Sequence, residues 1–277
     1  MSLEVSKLRQ QFEGPHHLIT TSDNQTLFLR KWEPQGGTQR KQAVLILHGI
    51  TAYSGPYSMI GDPLSKAGFT VYGLDLRGHG LSDGVRGDYP SKNRFVKDIC
   101  ETIDFTKQHH DAVVLLGHSL GVLSSVHALN NCLANIDGAI LLSGARTIRP
   151  EAYPQLSALQ KLKIALWSLI SPSNPVIKYG RDGMVGLNDP LFNFRYTLRF
   201  MRMMNHKDME IPKELQIPFF VGIGDSDELF SVESCRALFE EIPSDSKEFH
   251  VFQDGKHAVF PEGSWVPLVT WLEKTFN

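Results

Sequence analysis

Short, unbroken apolar runs along this 277-residue chain alternate with longer stretches whose apolar positions recur every third or fourth residue. Ala43 to Leu47 is one such run, and it stops at His48-Gly49. A strand covered on both faces reads this way, whereas a strand with one wet face alternates apolar with polar. Further runs lie at 69–74, 112–116, 138–142 and 218–223, and a last one at 248–252 is interrupted by Glu248 and His250. Helical spacing fills the intervals near 56–67, 91–108, 120–131, 231–241 and 265–276. Ahead of them, residues 15–33 read as a hairpin closing over the polar turn Thr21-Ser22-Asp23-Asn24-Gln25. Strand and helix in regular turn predict an α/β protein with a doubly wound, mostly parallel sheet.

The alternation breaks once. From Ala145 to Gln216 there is no core-strand run, although apolar residues at helical spacing fill 156–170 and 192–204. A structureless loop of that length is rare in a compact domain. The segment is therefore expected to be a helical cap, dividing the chain into a core of residues 1–144 and 217–277 and a cap of residues 145–216. The cap holds 11 Lys and Arg against 6 Asp and Glu, so it is +5 while the remainder is −7. A solvated face accounts for so mild an asymmetry. Trp167, Leu169, Ile170, Phe192, Phe194, Phe200, Met201, Met203 and Met204 are expected to bury the cap against the sheet. The same residues suit an apolar acyl tunnel. A third use for them is an interfacial patch making transient contact with a membrane surface.

Gly117-His118-Ser119-Leu120-Gly121 lies between the run at 112–116 and the helical pattern that follows. A serine on a tight strand-to-helix turn is presented for attack from a strained backbone, and flanking glycines avoid collisions across the turn. The N-terminus of the following helix aims free N–H groups at developing oxyanion charge. Ser119 would also cap that helix, but a cap needs neither glycine.

A serine hydroxyl is a weak nucleophile until a base takes its proton. Asp225 and Asp227 both follow the run at 218–223, and either suits the acid. His257 follows the last run and is the candidate base; of the eleven histidines, His250 falls inside a strand run instead. His16, His17, His109 and His110 read as surface residues, and His48, His79, His118, His127 and His206 as structural ones. His48-Gly49-Ile50 follows the first central run. The backbone N–H groups of Ile50 and Leu120 are the expected oxyanion donors. The paired histidines lack the i, i+4 spacing of a helical metal site, so neither a metal nor another cofactor is expected.

Four motifs together resemble the monoacylglycerol lipase and lysophospholipase branch of the α/β-hydrolases, the group similar to serine aminopeptidase S33. They are Leu47-His48-Gly49, the run Asp75-Leu76-Arg77-Gly78-His79-Gly80-Leu81-Ser82, Gly117 to Gly121, and Gly224 with Asp227 and His257. The resemblance covers about 40–145 and 215–275 well and the insert poorly. It implies an α/β-hydrolase fold and a Ser119–Asp227–His257 triad, and it favours Asp227 over Asp225 by the spacing to His257. It also makes Arg77 and His79 structural. Val122 and Ile50 depart from the smaller residues usual at those positions, which predicts a narrower acyl side of the pocket.

The implied activity is hydrolysis of carboxylic esters through an acyl-serine, on monoacylglycerols or other short- to medium-chain esters with an apolar acyl chain. Thioesterase, amidase or acyltransferase chemistry uses the same triad, and a non-catalytic ligand-binding protein of this fold is the reading from another class. A net charge of −2 gives no field to attract nucleic acid. Cys100, Cys132 and Cys235 show neither a disulfide framework nor zinc spacing, so three buried thiols in a reducing compartment are expected. With no signal-peptide pattern at the N-terminus and no membrane-length apolar stretch, a cytoplasmic location is the expectation.

Overall fold

The computed structural model describes residues 4–35, 39–152, 157–180 and 184–276. Its strands are β1 (His16–Thr20), β2 (Thr26–Trp32), β3 (Gln42–Leu47), β4 (Thr70–Leu74), β5 (Ala112–His118), β6 (Gly138–Leu142), β7 (Ile177–Lys178), β8 (Arg195–Tyr196), β9 (Phe219–Gly224) and β10 (Lys247–Phe252). The helices are α1 (Val5–Gln10), α2 (Ser58–Lys66), α3 (Lys92–Lys107), α4 (Leu120–Asn131), α5 (Ala158–Ile170), α6 (Leu198–Met203), α7 (Val232–Glu241) and α8 (Val266–Thr275). Among the described residues, eight strands form one sheet in the order β1-β2-β4-β3-β5-β6-β9-β10. The β1–β2 hairpin joins through an antiparallel β2–β4 pair, and every pair from β4 to β10 is parallel.

The continuous apolar runs have the physical cause inferred for them. Along β3, Leu45 and Leu47 pack in a core with Phe95, Ile99 and Ile103 of α3 and Leu123 of α4. Val44 and Ile46 face the other way, into a core with Ile60 and Leu64 of α2 and Leu268 and Leu272 of α8. Each such side chain stabilises the fold by about 1.5–3 kcal/mol. An exposed ion pair such as Lys7–Glu4 contributes about 0–1 kcal/mol. The two apolar layers therefore fix the sheet, and they leave its strand ends free for other work.

From β3 the chain moves to β4 on one side, then crosses back to β5 on the other side of β3. That reversal opens a crevice beyond the carboxyl ends of β3 and β5. His48-Gly49-Ile50 and Ser119 both emerge there.

The segment between β6 and β9 departs from expectation in two ways. Helix was expected across 192–204, but α6 starts only at Leu198, because the Thr197 side chain accepts the Phe200 N–H and caps it. Tyr196 is extended and pairs with Ile177. Helix over 158–170 is found, opened by a Ser157–Gln160 capping box, while residue 156 lies outside the described residues. Burial of Trp167, Leu169 and Ile170 is overturned: they are 51%, 81% and 76% exposed. Helical spacing shows that an apolar stripe exists, not that core surface remains for it to cover. Phe192, Phe200 and Met204 are buried as expected.

The reading of three free thiols is also corrected. Cys100 of α3 and Cys132 at the end of α4 form a disulfide, with Cα atoms 5.8 Å apart. The two helices lie side by side, which sequence spacing does not reveal. Among the described residues, Cys235 alone remains a free thiol, buried and pushed up to about 12 by its burial. A chain that carries this disulfide gives no ground for expecting a reducing compartment. No described helix is long and apolar enough to cross a membrane.

Closing a loop of 32 residues predicts that replacing both Cys100 and Cys132 by Ser lowers stability by about 3 kcal/mol in urea unfolding under oxidising conditions. An unchanged midpoint would mean that the two sulfurs are not joined.

Candidate active site

Ser119 occupies the turn from β5 into α4 with φ 57° and ψ −116°, a left-handed conformation that side chains rarely adopt. Its side chain makes no cap hydrogen bond to the helix. The turn is possible because of its neighbours. A Cβ at Gly117 would lie 2.2 Å from the Gly121 carbonyl oxygen, and one at Gly121 would lie 1.9 Å from that of Leu47. Val122 is buried against Gly144 and is not on a cavity wall, so the narrowing expected from it does not arise.

The structure brings the three predicted side chains into one line. His257 Nε2 lies 2.9 Å from Ser119 Oγ, and His257 Nδ1 lies 3.0 Å from Asp227 Oδ2. Asp227 Oδ1 accepts the N–H groups of Leu229 at 2.7 Å and Phe230 at 2.9 Å. Burial pushes the Asp227 carboxyl up, but the His257 contact and these two N–H groups outweigh it and hold it below the usual carboxylate range. An ionised Asp227 needs a proton on His257 Nδ1, which leaves Nε2 of the neutral ring as an acceptor facing the serine. Asp225 is exposed and accepts from Ser226, so of the two aspartates only Asp227 reaches the imidazole.

The loop after β3 lies against the serine: a Cβ at Gly49 would sit 3.3 Å from Ser119 Cβ. The Gly49 N–H is engaged by Tyr57 Oη at 2.8 Å. The N–H groups of Ile50 and Leu120 donate to no described residue, as an oxyanion pair requires.

Sequence reasoning missed Tyr57, which lies just before α2 in what read as ordinary helical spacing. Its Oη accepts from Gly49, so its own proton goes to His118 Nδ1 at 2.8 Å. His118 then carries its proton on Nε2 and donates to the His257 carbonyl at 2.7 Å. One chain of bonds thus ties the loop after β3, the serine turn and the histidine loop together. Burial, with the nearby His257, pushes His118 down to about 3, so the ring stays neutral. His48 is tied in the same manner: Nε2 accepts the Leu76 N–H, Nδ1–H donates to the Gly49 carbonyl, and burial pushes it down to about 4. Asp75 accepts the N–H groups of Ser54 and Leu81 beneath that loop. Arg77 points into a buried ionic cluster with Asp98 and Asp23.

A cavity of about 810 Å³ opens over Ser119 and His257. Ile50, Met59, Met184, Val185, Phe192, Leu229 and Val259 line it, with Thr51, Tyr57, His118, Tyr179, Ser226, Glu228 and Lys256 as further polar lining. Of the aromatic and methionine residues expected to form a tunnel, Phe192 does so, while Trp167 and Met201 do not.

The family profile described as serine aminopeptidase S33 matches residues 38–264. Rat monoglyceride lipase is 26% identical over 271 residues, covering 92% of this chain and 86% of the relative. The crystal structure of monoacylglycerol lipase from Paleococcus ferrophilus is 25% identical with a TM-score of 0.71, covering 90% of this chain and 99% of that one. A soluble variant of the Saccharomyces cerevisiae monoglyceride lipase, in complex with a substrate analogue, shares the fold at 17% identity with a TM-score of 0.78 and 96% coverage of each chain.

The buried histidines set the acid response. His48, His118 and His206 have folded pKa values of about 4, 3 and 4, all below the unfolded value near 6.5. The unfolded chain therefore binds more protons, and the stability these rings contribute is present above about pH 6.5 and lost as pH falls towards 4. At pH 5 each is expected to cost about 2 kcal/mol relative to pH 7. A urea midpoint that fails to drop between pH 7 and pH 5 would mean that these rings take up protons without unfolding.

Proposed function

We infer that this chain, which belongs to the serine aminopeptidase S33 family, hydrolyses carboxylic esters through an acyl-serine intermediate. The observation that carries the reading is the unbroken line from Asp227 through His257 to Ser119, opening on a cavity with mostly apolar walls. Ser119 Oγ attacks the ester carbonyl while His257 Nε2 takes its proton. Asp227 holds the imidazole and stabilises the cation. The N–H groups of Ile50 and Leu120 receive the oxyanion. His257 returns the proton to the departing alcohol. Water, activated by the same ring, then releases the carboxylic acid and regenerates Ser119.

The substrate class proposed is monoacylglycerols and other short- to medium-chain esters. Support comes from the cavity, whose volume suits a ligand of that size, and from the relatives named as monoglyceride lipases. The family description also names a peptidase. Thioester, amide and acyl-transfer chemistry would use the same triad. A binding protein without catalysis would have no need to keep Asp227, His257 and Ser119 in bonding register.

Residues 145–216 are proposed as the cap over this cavity, with α5 as its outward surface. No residue of α5 is buried, and Leu159, Leu162, Leu166, Trp167, Leu169 and Ile170 are all exposed. Lys161 and Lys163 lie among them. An apolar helix edged with cations suits transient contact with an anionic lipid surface.

Hydrolysis of p-nitrophenyl esters from acetate to palmitate should peak at medium chains and vanish in Ser119→Ala, with an aminoacyl anilide turned over poorly or not at all. Asp227→Asn should retain about 1 part in 10⁴ of kcat. Activity that survives Ser119→Ala would sink the mechanism, and preference for the anilide would sink the ester reading. Separately, a Trp167→Ser, Leu169→Ser variant should lose co-sedimentation with phosphatidylglycerol vesicles and keep its activity on a soluble butyrate ester. Equal sedimentation of both proteins would remove α5 as the lipid contact.

A further inference from the structure

The segment between β6 and β9 is anchored unevenly. Helix α5 stands off the core, with none of its residues buried. The limb from Asp189 to Met204 is bonded into the core loops at many points. Tyr53 Oη donates to Asp189, Asn193 Nδ2 donates to the Gly78 carbonyl, and the Thr197 N–H donates to that of Gly87. Thr197 and Arg199 both donate to Asp88. A limb held this firmly is not a moving cover.

Two of its bonds reach the loop assigned to the oxyanion. Tyr196 Oη lies 2.6 Å from the Ile50 carbonyl oxygen, and the Asn193 N–H donates to the Thr51 carbonyl at 2.9 Å. Tyr196 is fully buried, and its ring packs against Phe200 at 4.8 Å and His79 at 6.2 Å, which holds the hydroxyl over the Ile50 carbonyl. It has one proton and two carbonyls within reach, with Asn193 O at 2.8 Å the more distant. His79 Nε2 also faces the Ile50 carbonyl, but at 3.1 Å, and its other nitrogen faces the Arg77 carbonyl. A neutral imidazole has one N–H for those two acceptors.

We propose that Tyr196 is a positioning residue for the oxyanion hole: from the insertion, its hydroxyl fixes the Ile50 carbonyl and thereby aims the Ile50 N–H. This rests on the assignment of Ser119 and Ile50 above. The geometry of one residue carries the argument. Upstream of Ile50, the Gly49 N–H is held by Tyr57 and the Gly49 carbonyl accepts from His48 and from the Ala52 N–H. Downstream, the Ile50 carbonyl is held by Tyr196. With both ends of the residue pinned, the N–H between them keeps one direction. A donor to an oxyanion contributes in proportion to how well it is aimed before the charge appears.

The test is Tyr196→Phe, which removes one oxygen and keeps the stacked ring. Arg199→Ala is its control, since it breaks the Asp88 contact of the same limb and touches nothing at the site. Butylboronic acid adds a readout that needs no turnover: Ser119 Oγ bonds to boron, its proton passes to His257, and one boron oxygen occupies the oxyanion position. Tyr196→Phe should lower kcat by about 10-fold, leave KM within about twofold, and weaken the boronic acid by about 10-fold, with a near-native melting temperature. Arg199→Ala should do the reverse, lowering the melting temperature while kcat and boronic acid affinity hold. Comparing the proteins well below each one's own midpoint restricts the comparison to folded molecules. Unchanged kcat and boronic acid affinity in Tyr196→Phe would overturn the proposal, as would losses matched by Arg199→Ala. Should the wild type show no Ser119-dependent hydrolysis, the ester reading falls and boronic acid affinity alone decides the role of Tyr196. A wild type that neither hydrolyses nor binds the boronic acid overturns both.

Discussion

Backbone crowding at the carboxyl ends of β3 and β5 is the constraint on which the site depends. Gly121 meets the Leu47 carbonyl with no room for a side chain, so α4 starts as close to β3 as a chain can come. That approach sets Ser119 beside the loop that leaves β3, and it forces the positive φ that turns the hydroxyl outward. The strain of one residue is small against two apolar layers that bury whole strands. The sheet can hold the serine in a conformation that it would not keep alone.

Around that point the chemistry is decided by dryness. His48 and His118 are buried deeply enough to stay neutral, and each has its proton assigned by what its two nitrogens face. Asp227 is equally buried but has three donors, so it keeps its charge. The same low-dielectric surroundings thus leave some groups uncharged and one ionised, and hydrogen-bond count makes the difference. His257, between Ser119 and Asp227, inherits its tautomer from the charged neighbour.

The central strands were legible because a strand covered on both faces is apolar on both, as 43–47 and 138–142 are. Ser119 and His257 were legible because they occupy turns at strand ends, where a short motif fixes both residue type and conformation. Asp227 was legible only with the family spacing, since Asp225 fits the residue pattern as well. Other features left no local trace. The Cys100–Cys132 bond depends on two helices lying side by side, and Tyr57 acts through partners 8 and 61 residues away. The stripe on α5 announced burial that does not occur, because spacing reports a helix face and is silent on what lies opposite.

The direct pairing of β6 with β9, Ala139 beside Phe219 and Leu142 beside Gly222, has a consequence for how such a protein diversifies. The sheet is complete without the chain that runs between those strands, so that chain is topologically a long excursion, and lengthening an excursion costs only a logarithmic entropy. Its outermost part, α5, buries no residue and can be replaced by unrelated sequence without disturbing the strand register. Its inner part, from Asp189 onward, is bonded to the loop beside the serine and cannot. A stretch that can vary and a stretch that is bonded to the site are thereby separated within one excursion, and the divide falls between α5 and the β7–β8 pair.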